Sequence, residues 1–142
     1  MNDLHNCMRA KAVITPVAIG APATKTGLVI DRQGYGGVEF IASYGSVTTT
    51  GSSVALVVKE GDVTGTLTSV ADADLLGTEA LAGLAAGARV AGTGKEVSKR
   101  VGYTGLKRYV SVDAINAGTT STASLSVTAI LHCAYNEPTT NP

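Results

Sequence analysis

The sequence predicts one all-β domain, a jelly-roll-like antiparallel β-sandwich with flexible N- and C-terminal extensions. Short apolar runs with period-two alternation recur along the chain, turns rich in Gly, Thr and Ser separate them, and no helices alternate with them. About seven or eight such strands are typical of a sandwich or barrel. The 17 glycines agree, because each would cost a helix about 0.5–1 kcal/mol. The predicted organisation is an N-terminal arm (1–11), a sandwich domain (12–133) and a C-terminal tail (134–142).

The first strands are short and closely bounded by turns. Ala12–Ile19 is an apolar run that contains Pro16. Proline confines such a run to a sheet edge or an irregular segment, because it donates no ladder hydrogen bond. A second short strand is expected at Leu28–Asp31, and the glycine-dense segment Gln33–Gly37 is expected to end it as a turn.

The next strands carry the clearest core pattern. Val38–Ser46 alternates, with Val38, Phe40, Ala42 and Tyr44 on one face. Ser53–Glu60 is the strongest candidate for a buried strand. Thr64–Val70 is expected to form another short strand.

Residues 71–94 depart from the strand pattern. Asp72–Leu76 is predicted to form one helical turn, capped by Asp72 or Asp74. Glycines interrupt residues 76–94, including the Ala/Gly-rich stretch Leu81–Gly94, every few residues, so a loop with one short helix is expected there.

Three strands are expected in the last part of the chain: Lys95–Tyr103, Leu106–Ile115 and Ala123–Cys133. In the last of them alternate residues share one face, and on this pattern Cys133 is a small core hydrophobe. The alternate residues are Leu125, Val127, Ala129 and Leu131. Pro138 keeps the polar tail out of any strand.

The charge composition argues against nucleic acid and membrane as partners. The chain has 11 basic and 11 acidic residues and no net charge, whereas phosphate binding favours a cationic excess. The longest apolar stretch, Leu75–Val90, contains Glu79, Arg89 and several glycines, so it is not expected to cross a bilayer.

Two cysteines lie near opposite ends of the sequence. Cys7 and Cys133 are expected to stay reduced and unpaired, since the N-terminus lacks the basic-then-apolar pattern of a signal peptide. We therefore expect synthesis in a reducing cytoplasm.

No motif gives a convincing catalytic or cofactor site. Gly92–Lys95 (GTGK) looks like the end of a phosphate-binding loop, but Arg89 stands where the first glycine is needed and Glu96 where Ser or Thr is needed. Asp72, Asp74 and Glu79, with Asp62, offer oxygen ligands without the spacing of a calcium loop. A solvated, capped turn is the simpler interpretation.

Histidine and cysteine occur together at both ends of the chain. His5 and Cys7, with His132 and Cys133, would supply four zinc ligands if the ends met. Adjacent strand residues point to opposite faces, however, so His132 and Cys133 are poorly placed to bind one ion. We expect no metal, no cofactor and no enzymatic activity.

Three segments carry a resemblance to a known family. They are Gly34–Thr48 (GYGGVEF…SYGSVT), Val70–Glu79 (VADADLLGTE) and Val101–Asp113 (VGYTGLKRYVSVD). Their order resembles that of small tailed-phage proteins encoded among the head genes, which look like capsid decoration (cement) proteins. The resemblance covers about residues 28–133.

The resemblance implies a structural role in the virion, on the capsid surface. The chain would bind the outside of an icosahedral capsid, bridge neighbouring major capsid subunits and form a homo-oligomer, with a trimer as the best estimate. Four residues are the candidate contacts with other subunits: Lys107, Arg108, Tyr109 and Tyr103.

The strand pattern adds an expectation about Arg108. It places Arg108 on one face with Val110 and Val112, so Arg108 needs a partner, either across a subunit contact or internally at Glu39 or Asp113. The alternative function is a phage tail or surface module that binds a host glycan or receptor, with Tyr35, Tyr103 and Tyr135 as the candidate loop aromatics.

Overall fold

The computed structural model describes residues 4–48, 50–86, 96–118 and 122–135. Of these residues, 61% lie in strands and 9% in helices, and two antiparallel sheets form a sandwich. The predicted fold class is therefore confirmed. The elements are α1 (Leu4–Cys7), β1 (Arg9–Gly20), β2 (Ala23–Lys25), β3 (Ile30–Asp31), β4 (Tyr35–Val47), β5 (Ser53–Gly61), β6 (Thr68–Ser69), β7 (Leu75–Leu76), α2 (Glu79–Ala82), β8 (Val97–Tyr103), β9 (Tyr109–Ala117) and β10 (Thr122–Ala134).

The strand order is that of a jelly roll. One sheet runs β1-β10-β4-β8-β7, and the other runs β2-β9-β5-β6 with β3 also beside β9. Early strands pair with late ones, β1 with β10, β2 with β9 and β4 with β8, and β5 pairs with β6 in the middle of the chain. This nesting is a long hairpin wrapped into two sheets.

The core lies between the sheets, where the alternation of the sequence predicted it. On β4 the predicted inward residues Val38, Phe40, Ala42 and Tyr44 are all buried. On β10 the four predicted inward residues are buried as well. The two sets pair directly across the sheet, as Phe40 with Ala129 shows. Small and β-branched side chains thus fill the interior by alternation.

Strand β1 lies at a sheet edge, as Pro16 predicted. Its pairing with β10 shifts register twice, between Ala12 and Ile14 and between Ile14 and Val17. The strand begins earlier than expected, since Arg9–Lys11 of the predicted arm pair with β10. At the other end of the chain, Ala134 pairs with Tyr35 and extends β10 by one residue. Residues 136–142 of the predicted tail lie outside the described part of the chain.

The predicted strand in Thr64–Val70 is shorter than expected, since only Thr68–Ser69 pair with β5. The helical turn predicted at Asp72–Leu76 is a 3₁₀ turn at Asp72–Asp74. Its expected capping by Asp72 or Asp74 is wrong, because Ala71 occupies the capping position without a side-chain hydrogen bond.

One short helix follows, as expected within residues 76–94. Helix α2 starts at Glu79, and Thr78 caps it by accepting a hydrogen bond from the Leu81 backbone N–H (3.1 Å). Residues 87–95 of the segment lie outside the described residues. No helix in the described ranges is long and apolar enough to span a membrane.

Two predictions near strand ends are wrong. Strand β9 begins at Tyr109 rather than at Leu106, because residues 104–108 form a loop and Leu106 is 94% exposed. Cys133 is exposed rather than a core residue, since its φ of 55° breaks the alternation of β10. Cys7 and Cys133 are both free thiols in the structure.

Candidate functional site

Three connections meet at one end of the sandwich, which we call the loop end. They are the turn at 32–34, the connection after β5 at 62–67 and the loop at 104–108. The topology brings them together, since Gly61 at the end of β5 pairs with Tyr109 at the start of β9. Two contacts join the connections: the Arg32 backbone N–H donates to the Arg108 carbonyl (3.0 Å), and Lys107 pairs with Asp62 (2.5 Å).

Tyr103 supports the loop at 104–108 through a hydrogen bond from its buried side chain. Its side chain is buried at 1% exposure, so its predicted part in a contact surface is corrected to a supporting one. The Tyr103 hydroxyl donates a hydrogen bond to Glu60 and accepts one from the Lys107 backbone N–H (3.1 Å). Burial and the Glu60 contact raise the pKa of Tyr103 well above its ordinary value, which keeps the ring neutral.

Arg32 also anchors this loop, through a hydrogen bond to the Lys107 carbonyl. The sequence analysis did not identify this role. This arginine is only 8% exposed. Its Nε donates to the Lys107 carbonyl (2.6 Å) and its Nη1 to the Gly36 carbonyl (3.2 Å). The guanidinium also stacks over the Tyr103 ring at 5.3 Å. No sequence signal distinguishes an arginine in this turn from a solvated one.

Arg108 pairs with Asp31, which the sequence analysis did not name as a partner. Its Nε and Nη2 donate to the two carboxylate oxygens at 3.0 and 2.7 Å, a bidentate arrangement. The guanidinium lowers the pKa of Asp31 and lies 5.0 Å from the centre of the Tyr109 ring. Arg108 is exposed and precedes β9, so the expectation that it shares a strand face with Val110 and Val112 is wrong.

The two internal partners expected for Arg108 are engaged elsewhere. Glu39 pairs with Arg100 at 3.6 Å, and Asp113 pairs with Lys59 at 2.6 Å. Asp31 replaces them because it ends β3, which lies beside the start of β9.

Lys107 is the fourth predicted contact residue, and it is exposed. Its ammonium pairs with Asp62, and this carboxylate raises the pKa of Lys107. Tyr109, two residues after Lys107, is half-buried. The structure thus brings all four predicted residues to the loop end, three of them at least partly accessible to solvent.

A groove of about 230 Å³ opens at the loop end. Leu106 and Tyr135 form its most exposed apolar walls, at 94% and 74% exposure. Tyr35, Arg32 and Arg108 also line it, together with Gln33 and Gly34. Among the described residues, the lining therefore contains two guanidinium groups and no carboxylate.

The alternative sites considered from the sequence do not assemble within the described residues. No three His, Cys, Asp or Glu side chains in those ranges come close enough to share a metal ion. Glu79 accepts a hydrogen bond from the Val58 backbone N–H (2.5 Å). His132 Nδ1 lies 3.2 Å from the Cys133 sulfur. Gly92–Lys95 lies outside the described residues.

No protein-family model matches the sequence, and no curated protein is similar to it in sequence. Among solved structures, the fold is similar to that of PBSX exported protein XepA, with a TM-score of 0.57 and 18% identity. The alignment covers 94% of this chain and 40% of that chain, so this chain spans less than half of that protein's length.

Two further solved structures are less similar to this chain. A structure of infectious bursal disease virus, Gx strain, gives 0.49 at 9% identity, over 92% of this chain and 33% of that one. A disulfide-linked pilus protein of Bacillus endospore appendages gives 0.41 at 14% identity, over 93% of this chain and 96% of that one. What the comparison with XepA establishes is a shared β-sandwich fold.

Proposed function

We propose that this chain is a non-enzymatic structural protein of a phage virion. It binds the outside of the icosahedral capsid and stabilises it by bridging neighbouring major capsid subunits. The observation that carries the proposal is the loop end, where a network of hydrogen bonds and ion pairs holds a loop whose tip, Leu106, is 94% exposed. Such a tip suits docking onto another protein.

The mechanism of stabilisation is mass action. A protein that binds only the assembled lattice adds its binding free energy to the stability of that state, by about 2.7 kcal/mol at a free concentration of 100 times Kd. A loop end that is already ordered loses little conformational entropy on docking. The hydrogen bonds from Arg32 and to Tyr103 supply that order before any partner arrives.

A homotrimer remains the proposed assembly. Its support is the absence of net charge and the resemblance to decoration proteins, in which a closed ring presents one contact to each subunit around an axis. Arg108 gives the trimer no support, since that residue pairs with Asp31 of its own chain rather than across a subunit contact.

Capsids of the phage that encodes this chain provide the test. We expect the purified protein to co-sediment with expanded capsids assembled from the major capsid protein, and light scattering to give three times the 14.3 kDa chain mass. A protein that stays in the supernatant at concentrations far above 1 μM would contradict the capsid role. A monomer mass with intact capsid binding would contradict only the trimer.

A second candidate is a module that binds a host glycan or receptor. The observation in its favour is that Tyr35 and Tyr135, two of the three predicted loop aromatics, line the same groove. Against it, Tyr103 is buried, and the groove, at about 230 Å³, lies below the roughly 300–1,000 Å³ of small-molecule pockets. Binding to host cells that Tyr135→Ala abolishes, without capsid binding, would favour this candidate.

A further inference from the structure

The groove at the loop end contains a buried positive charge without a carboxylate partner. Arg32 is 8% exposed, yet none of the ion pairs among the described residues includes it. Other cations of the described chain, Lys59, Arg100, Lys107 and Arg108, each pair with an acidic side chain. Burying a charge without its counter-charge is costly, and Arg32 is the only buried lysine or arginine in the described ranges, so its lack of an acidic partner there calls for an explanation.

The geometry of Arg32 leaves hydrogen-bond donors for a ligand. A guanidinium has five N–H donors. Two of those of Arg32 are taken, by the carbonyls of Lys107 and Gly36. The other three have no acceptor in the described part of the chain, and the side chain lines the groove. A carboxylate that enters the groove would meet a guanidinium that is already fixed in place.

The apolar wall of the groove indicates that the ligand has an apolar part next to its carboxylate. Leu106 and Tyr135 flank the guanidinium with exposed apolar surface. A ligand that satisfies both features carries an acidic side chain next to an apolar one. The volume, about 230 Å³, suits side chains of a protein segment better than a small molecule of ordinary size.

More than half of the chain's 11 acidic residues are already engaged. Six described carboxylates already have partners: Asp31, Glu39, Glu60, Asp62, Glu79 and Asp113. These six are less available to Arg32 of a second copy, which favours a different protein as the source of the acidic side chain.

We propose that the groove formed by Arg32, Leu106 and Tyr135 binds an acidic side chain, with its apolar neighbour, from a segment of the major capsid protein. The identity of this partner rests on the proposed function, whereas the acidic-apolar chemistry rests on the groove alone. Arg32 receives the carboxylate, and Leu106 packs against the apolar side chain.

The chemistry is tested without capsids by titrating the full chain with acetyl-Glu-Leu-amide, and with acetyl-Gln-Leu-amide as the matched control. The readout is the NMR signal of the Arg32 Nε–H group. We expect the Glu peptide to shift this signal with a Kd of about 1 mM, and the Gln peptide to bind at least about tenfold more weakly. Equal shifts from both peptides, or no shift from either, would overturn the proposal.

The partner is tested with capsids and two variants. Leu106→Ser removes an exposed side chain, so folding is unaffected, and Arg32→Gln removes the charge. We expect each to weaken capsid binding at least about tenfold. The matched control is Leu81→Ser, a 70% exposed leucine on α2 outside the groove, which should bind like the wild type.

The outcomes separate the two proposals. Capsid binding by Leu106→Ser at the wild-type level would overturn the groove as the capsid contact. A lower oligomer mass for Leu106→Ser, with unchanged capsid binding, would identify the occupant as a second copy and also overturn it. If the wild-type chain does not bind capsids but binds the Glu peptide, the capsid role is refuted. The proposed binding of an acidic and an apolar side chain by the groove is then still supported.

Discussion

Replacing Tyr103 with phenylalanine tests how the loop end is held together. The ring is 1% exposed, so Tyr103→Phe keeps the packing and removes only the hydroxyl. That hydroxyl donates to Glu60 and accepts from the Lys107 backbone N–H. Both partners lose a bond in partly buried positions, where an unsatisfied polar group costs about 1–3 kcal/mol.

Because both hydrogen bonds are only partly buried, we expect a cost in the lower part of that range, about 1–2 kcal/mol. For a chain of 142 residues this corresponds to a fall in Tm of about 3–7 °C. Urea denaturation should show a lower midpoint with an unchanged m-value. Hydrogen exchange should accelerate in residues 104–108, and most at the Lys107 amide.

The matched control is Tyr109→Phe. Tyr109 is half-buried and its hydroxyl has no hydrogen-bond partner within the described ranges, so its loss should change stability by less than about 0.5 kcal/mol. Equal stability of Tyr103→Phe and wild type, with unchanged exchange at 104–108, would refute the view that Tyr103 anchors the loop.

Three further predictions concern pH and the core. Arg108 lowers the pKa of Asp31, so the stability from this pair is present above a pH of about 4 and is lost as the pH falls below it. The free energies of unfolding of Asp31→Asn and of the wild type, measured against pH, should therefore converge at low pH. Curves that stay parallel would contradict this. Burial raises the pKa of both Tyr44 and Tyr103, so stability should fall as the pH rises above about 10. An ultraviolet titration should show that these two phenols ionise only when the protein unfolds. Ionisation together with the other tyrosines would argue against their burial. Leu131 is fully buried on β10, so Leu131→Ala should cost about 2–5 kcal/mol, measured by urea denaturation; a cost under about 1 kcal/mol would place it outside the core.

The sandwich was predictable because its strands obey local rules. Val38–Ser46 and Ala123–Cys133 alternate strictly over most of their length, and a strand buried on one face requires that alternation. Pro16 marked the edge strand for an equally local reason. The pairing of early with late strands, by contrast, involves residues far apart in sequence and follows from no local pattern.

The details of the loop end were not predictable, because long-range contacts decide them. Arg108 was placed on a strand face by alternation, but the chain leaves the strand pattern before Tyr109. Its partner Asp31 lies 77 residues away, and no spacing rule connects the two. Arg32 was missed since a turn arginine is ordinarily solvated, and only the neighbouring loop buries it.

Cys133 shows the limit of periodicity at a strand end. The alternation assigned it to the core face with Leu131, which is buried. A left-handed backbone conformation at Cys133 turns the chain there and exposes the thiol. Nothing in the local sequence marks a cysteine for this conformation, which favours glycine and asparagine.

The central claim is that this jelly roll stabilises a phage capsid from outside. The most direct test is the temperature at which capsids open, measured with and without saturating protein. We expect the protein to raise the opening temperature, by an amount that grows with its free concentration as mass action requires. Leu81→Ser should match the wild type, and Leu106→Ser should need at least about tenfold more protein for the same shift. Capsids that open at the same temperature with and without the wild-type protein would contradict the claim.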